Sequence, residues 1–182
     1  MRGVLWHNNS VGLVLVPRSG SFTLFSLVLE HFNPQARQES WLPPNRTRWH
    51  PVMNLQREMC DLSTNSIPGE VTFAVVVRDP IERFRSACAR LQKTPAEVIA
   101  NSLGDVHTWT IESMGLLEHP QARYFLFSEL EECAQFLGLP TPLPETNGEP
   151  IKPDLSAEEL QFVNQHYAND ILFYNKLQQF RI

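Results

Sequence analysis

The chain has 182 residues, the size of one ordinary domain, and its 42% hydrophobic and 19% charged residues exclude a disordered or fibrous polypeptide. A formal net charge of -5 excludes a broad basic surface of the kind that tracks a nucleic-acid backbone, so any anion site must be local. No apolar stretch approaches the ~20 residues of a membrane span, and MRGVLWHNNS at the start lacks the apolar core of a signal, so the expectation is a soluble cytoplasmic protein with neither nucleic acid nor membrane as partner.

Val11 to Val16 is a β-branched and leucine run between polar Asn8 to Ser10 and Pro17, which suits a buried parallel strand. Beyond Gly20, the residues Leu24, Phe25, Leu27, Val28 and Phe32 fall mostly on one side of a 3.6-residue repeat that Asn33-Pro34 stops, which predicts strand, tight turn and helix. Pro34 to Pro68 reads as a long loop with a short helix near Met53 to Met59. Val71 to Val77 is a second apolar strand, and Arg78-Asp79-Pro80 leads from it into a helix from Ile81 to about Leu91. Thr94-Pro95-Ala96-Glu97 opens another helix, running to about Leu103.

Tyr124 to Phe127 is a third strand, followed by a helix from Glu129 to Leu137 that Gly138 closes. Thr141 to Pro153 is a Pro- and Gly-rich surface loop, and Ser156-Ala157-Glu158-Glu159 starts a last helix with Leu160, Val163, Tyr167 and Ile171 on its apolar face. Alternating strands and helices predict an α/β fold, a three-layer sandwich with a central parallel sheet and helices on both faces. With no internal repeat and no low-complexity linker, residues 1–182 are expected to form a single domain.

Cys60, Cys88 and Cys133 have neither CxxC nor Cys/His metal spacing, and their odd number fits core thiols in a reducing compartment. Asn45-Arg46-Thr47 matches a glycosylation sequon, read as accidental without a secretory signal. His107, His119 and His166 are too dispersed to suggest a metal site. Asp79 and Arg83, four apart at a helix start, are expected to pair with each other.

In open α/β sheets ligands bind beyond the carboxyl ends of the strands, and two of the three expected strands run into an arginine and a helix start. Arg18-Ser19-Gly20-Ser21-Phe22-Thr23 combines a cation, a glycine that lets the backbone approach, hydroxyls and free N–H groups at a helix N-terminus. Arg78 ends the second strand and Ser86 follows eight residues on, so a guanidinium and a hydroxyl can hold one phosphate together. The GxxxxGK[ST] motif of ATPases and GTPases is absent, and no metal carboxylate is evident, which argues against a kinase of related fold.

VLVPRSGSFTL resembles the 5'-phosphosulfate segment of the sulfotransferases that use 3'-phosphoadenosine-5'-phosphosulfate (PAPS), and VVVRDPIERFRSA resembles their 3'-phosphate segment. The tail YFLFSELEECAQFLGLP, then Asn147 and HYANDILFYNKL, is similar to the family's C-terminal part, so the resemblance covers about Val11 to Leu177. It implies a P-loop-NTPase-like sandwich, PAPS as cofactor with no metal required, and sulfuryl transfer to a hydroxyl or amine acceptor, a carbohydrate or small molecule. Arg18, Ser19, Gly20, Ser21, Phe22 and Thr23 would wrap the 5'-phosphosulfate, Arg78 and Ser86 would fix the 3'-phosphate, and Lys152 in TNGEPIKPD would close over the phosphates.

Arg18 stands where most members have Lys, as in the Arg-Ser-Gly-Ser version of carbohydrate sulfotransferases, and Phe22 replaces a usual hydroxyl residue. These departures motivate a second expectation, a catalytically silent nucleotide-binding or interaction module. The reaction needs a base, for which Glu30, His31, Glu39 and His50 are candidates; His50, in the long loop before the second strand, is preferred. Trp41 or Trp49 is available to stack on the adenine.

Overall fold

The computed structural model describes residues 2–6, 11–14, 16–20, 23–24, 27–28, 59–61, 72–143 and 151–180. Five strands form one sheet: β1 (Arg2–Trp6), β2 (Val11–Val14), β3 (Met59–Asp61), β4 (Thr72–Val77) and β5 (Ala122–Leu126), in the order β3-β1-β2-β4-β5. The three expected strands β2, β4 and β5 are parallel, with Val14 opposite Val75 and Val77 opposite Leu126. The sheet is not wholly parallel, as expected from the apolar runs, but mixed. β1 pairs antiparallel with both β2 and β3, an extension built from a mixed run, RGVLW, and a three-residue strand that includes Met59, which was expected in a helix.

Alternation along the parallel strands divides the core. Leu13, Ala74, Val76 and Phe125 face one side, where Leu24, Leu27 and Val28 of the helical segment after β2 join Cys133, Ala134 and Leu137. Val14, Phe73, Val75 and Val77 face the other side and pack against Ile111, Leu116 and Phe173. The helices are α1 (Pro80–Leu91), α2 (Pro95–Asn101), α3 (Leu130–Phe136), α4 (Ala157–His166) and α5 (Ala168–Gln179). Phe84 and Cys88 of α1, Val98 of α2, and Val163 and Tyr167 from the C-terminal helices form a further cluster.

The last helix is two helices, divided at Tyr167, and this changes its apolar face. Val163 and Tyr167 are buried as expected, whereas Leu160 is 37% exposed. Gly138 takes φ +70° just beyond α3, and the N–H of Leu139 donates to the Ala134 carbonyl, the geometry that a glycine stop provides. Burial pushes the thiol of Cys88 up to about 11 and that of Cys133 up to about 12, as befits core cysteines, and Cys60 lies on β3.

The fold positions the site through one topological feature. Neighbouring parallel strands β2 and β4 are followed by helices that belong to different packing clusters, the helical segment that carries Leu24, Leu27 and Val28 on one face and α1, which packs on α4 and α5, on the other. In open α/β sheets, such a divergence is where ligands bind, beyond the carboxyl ends of the two strands. Among the described residues, no helix is long and apolar enough to cross a membrane.

Candidate functional site

The first turn begins where β2 gives way to Val16 and Pro17. The N–H of Ser19 donates to the Val16 carbonyl at 3.4 Å, closing a four-residue turn with Pro17 second and Arg18 third. Proline presets its own φ, and the third position then takes φ +62°, a conformation that costs an L side chain roughly 1 kcal/mol. Arg18 therefore occupies a place that the backbone alone would give to glycine or asparagine. Gly20 follows at φ +72°, and a Cβ there would come within 2.9 Å of Leu130 Cδ2 and 3.0 Å of Phe127 Cε2. The N–H of Leu24 donates to the Gly20 carbonyl, so the helical segment starts directly on this turn.

The second turn is built by ordinary helix-start chemistry. Asp79 Oδ1 accepts from the N–H groups of Ile81 at 2.9 Å and Glu82 at 3.0 Å, and Pro80 takes the first helical position, where its missing donor costs nothing. This corrects the expected Asp79–Arg83 pair: the aspartate is committed to the helix end, while Arg83 turns inward to Asp170, with Nη2 at 2.8 Å from Oδ2. Ser86 lies in the second turn of α1 and is 1% exposed.

The two turns meet. Arg18 Nε and Nη2 donate to Ser86 Oγ at 3.0 and 2.7 Å, across 68 residues of sequence, and Arg78 Nη1 donates to the Arg18 carbonyl at 3.2 Å. Arg78 is also braced from the far side, its guanidinium 4.5 Å above the Phe127 ring. Two guanidinium groups and a buried hydroxyl thus form one connected cluster at the carboxyl ends of β2 and β4.

Beside them, Ser19 is fully buried and its Oγ has no hydrogen-bond partner among the described residues. A buried hydroxyl left unsatisfied costs about 1–3 kcal/mol, so it is a group suited to a polar ligand atom.

Lys152 stands at the flank of this cluster. Its Nζ is 3.1 Å from Glu82 Oε2, and Glu82 is one helical turn before Ser86 on α1. Arg85 holds the same carboxylate at 2.7 Å and clamps the chain beyond Lys152 through the Pro153 carbonyl and Asp154. Partial burial pushes the Glu82 carboxyl up, but hydrogen bonds and charges from Lys152 and Arg85 outweigh it and hold the group below the ordinary carboxylate value.

Of the expected site residues, the structure brings Arg18, Arg78 and Ser86 into one cluster, with Ser19 and Gly20 in the adjoining turn, Thr23 at the start of the helical segment and Lys152 at the edge. Ser21, Phe22 and His50 lie outside the described residues, as do Glu30, His31, Glu39, Trp41 and Trp49.

Sequence reading missed Phe127, which braces Arg78, Leu130, which seats Gly20, and Glu82, which receives Lys152. The first two follow β5, and their partners lie in other elements, so no local spacing could have indicated them. His107 Nδ1 lies 2.6 Å from Asp105, His119 packs on Phe73, and His166 stacks on Phe162. Among the described residues no group of three His, Cys, Asp or Glu is placed to hold a metal ion.

Chemically, the cluster carries the groups that an anion site needs. It offers fixed positive charge, a hydroxyl that donates as well as accepts, an unsatisfied buried hydroxyl and two helix starts. No protein-family model matches the chain, and no curated protein or solved structure matches it.

Proposed function

We propose that the chain is a sulfotransferase with a P-loop-NTPase-like fold that uses PAPS as donor and acts on a hydroxyl or amine acceptor, a carbohydrate or small molecule. The observation that carries this reading is the joined cluster of Arg18, Arg78 and Ser86 at neighbouring strand ends. A donor with two separate anionic ends needs two anion turns within reach of one another. The unpartnered Ser19 hydroxyl adds support, because it fits a sulfate or phosphate oxygen and has no partner among the described residues.

In this proposal, Arg78 and Ser86 hold the 3'-phosphate, and the turn from Arg18 to Thr23 holds the 5' end. Lys152 leaves Glu82 to approach the phosphates. The bound donor supplies an activated sulfuryl group. His50 takes the acceptor's proton as the acceptor oxygen or nitrogen bonds to sulfur, and the electron pair of the broken S–O bond stays on the departing 5'-phosphate. Arg18, protonated at any working pH, stabilises that charge but gives it no proton. Positioning and charge stabilisation then supply most of the rate, as they do in phosphoryl transfer.

Calorimetry with adenosine 3',5'-bisphosphate tests the donor site. Micromolar binding is expected, weakened by Arg18→Gly, which the backbone at φ +62° accommodates without strain. A folded wild-type protein that binds no bisphosphate at high micromolar concentration refutes the reading.

A catalytically silent nucleotide-binding module is the second reading, favoured by one observation: the Arg18 side chain is engaged with Ser86, on the 3' side of the site. Turnover of labelled PAPS with an acceptor panel, lost in His50→Ala, excludes it; binding without turnover establishes it.

A further inference from the structure

Ser86 can serve an anion, or Arg18, only if α1 presents it at the right roll about its own axis. What sets that roll lies on the face of the helix adjoining the one that carries Ser86. Arg83 precedes Ser86 by three residues and is turned from it by about 60° around α1. Its Nη2 reaches Asp170 Oδ2 at 2.8 Å and the Trp109 carbonyl at 3.0 Å, with the side chains of Arg83 and Asp170 only 1% and 0% exposed.

Asp170, in the first turn of α5, collects more than this one donor: Oδ2 also accepts the Ile111 N–H at 2.7 Å, and Oδ1 the Glu112 N–H at 3.1 Å. One carboxylate therefore ties together α1, α5 and the chain between α2 and β5. Arg83 Nε and Nη1 make no hydrogen bond among the described residues. The Tyr167 ring lies 5.3 Å from the guanidinium carbon, and the tyrosine hydroxyl is turned to the Thr108 carbonyl. Removing Asp170 would leave Arg83 a buried cation with no carboxylate to hold it, and α1 would have to turn or shift to rehydrate the charge.

We infer that Asp170, acting through Arg83, is a positioning residue that sets the roll of α1 and so aims the Ser86 hydroxyl at the anion cluster. The consequence for affinity rests on the nucleotide reading above; the consequence for the Arg18–Ser86 contact does not. A residue that only stabilised the fold would lower the unfolding midpoint and leave the folded site unchanged. A positioning residue changes the site while the protein remains folded.

The experiment uses the full chain and two variants that cut the tie from opposite ends. Asp170→Asn keeps the shape and one of the two acceptor oxygens for the backbone N–H groups; Arg83→Met fills the same space without charge. Two readouts are taken under conditions where circular dichroism shows each protein folded. The first is the affinity for adenosine 3',5'-bisphosphate, expected to fall about tenfold in both variants. The second needs no ligand: hydrogen exchange at the Arg18 Nε–H, identified by its loss in Arg18→Lys, is expected to accelerate as the bond to Ser86 loosens.

If a folded variant keeps wild-type exchange at Arg18, the inference is overturned, whatever happens to the unfolding midpoint. A wild type that fails to bind the bisphosphate refutes the nucleotide reading, and the exchange measurement then decides the positioning role alone.

Discussion

The turns after β2 and β4 carry matching chemistry, an arginine and a serine ahead of or within a helix, yet they are held by opposite means. At the second turn the support is mostly hydrogen bonding and charge: Asp79 caps α1 and Asp170 holds Arg83, with Pro80 fixing the first helical residue. At the first turn the support is shape. Arg18 and Gly20 both sit at positive φ, and Gly20 fits against Leu130 and Phe127 with no room for a methyl group. The Arg18 side chain is engaged with Ser86, while the Ser19 hydroxyl is buried without a partner among the described residues. A scaffold of hydrogen bonds spends its polar groups on itself; a scaffold of shape keeps them for a ligand.

Gly20→Ala is the substitution that breaks this difference most directly. It adds a Cβ within 2.9 Å of a leucine methyl and forces an alanine to φ +72°. Leu130 can yield by a few tenths of an ångström, but the backbone strain persists, so a loss of about 2 kcal/mol is expected by urea denaturation. Affinity for adenosine 3',5'-bisphosphate should fall with it, because the turn is displaced away from Arg78. An unchanged midpoint would mean that the turn is not held by shape.

The second turn was far more legible in the sequence than the first, and the reason is range. Asp79-Pro80 at a strand end followed by an apolar helix repeat is a local signal, and the helix it announces runs Pro80–Leu91, within one residue of its expected start. Gly20 was legible as a turn, but its packing depends on Leu130, over a hundred residues away.

The Arg83–Asp170 pair was misassigned for the same reason. A four-residue spacing suggested Asp79 as partner, while the real carboxylate lies 87 residues on, brought there by the break at Tyr167 that divides the last helix. β1 was missed because it contains Arg2 and Gly3, which interrupt the apolar run by which a strand is recognised. The three parallel strands were found, β2 and β4 as apolar runs and β5 from its more apolar end, Tyr124 to Leu126, although it begins at Ala122.

Asp79→Ala is the corresponding test at the second turn, with a smaller effect. It removes the acceptor of two N–H groups at the start of α1, and the expected loss is about 1 kcal/mol. Since the Arg83–Asp170 contact still holds the helix, the bisphosphate affinity should change less than in Gly20→Ala at equal loss of stability. If affinity falls as steeply in both variants, the second turn depends on its cap as much as the first depends on its shape, and the contrast between them fails.

Lys152 gives the smallest effect and the finest distinction, because its contact with Glu82 is part structure and part expected site. Side-chain exposures of 20% and 37% place the pair near the surface, where an ion pair contributes about 0.5 kcal/mol. Glu82 has its carboxyl held below the ordinary value of 4.5 in the folded chain, so its contribution is complete above that pH and is lost as pH falls through the lowered folded value.

Lys152→Ala removes one of the two cations that lower it, leaving Arg85, so the acid side of the stability profile should flatten while stability at neutral pH drops only slightly. Nucleotide affinity separates the two roles. If Lys152 moves from Glu82 to the phosphates, the variant should bind the bisphosphate several-fold more weakly at neutral pH, and the difference should shrink as salt is raised. If it serves only to tie the chain before α4 to α1, the stability profile changes and the affinity does not, and Lys152 leaves the list of ligand-binding residues.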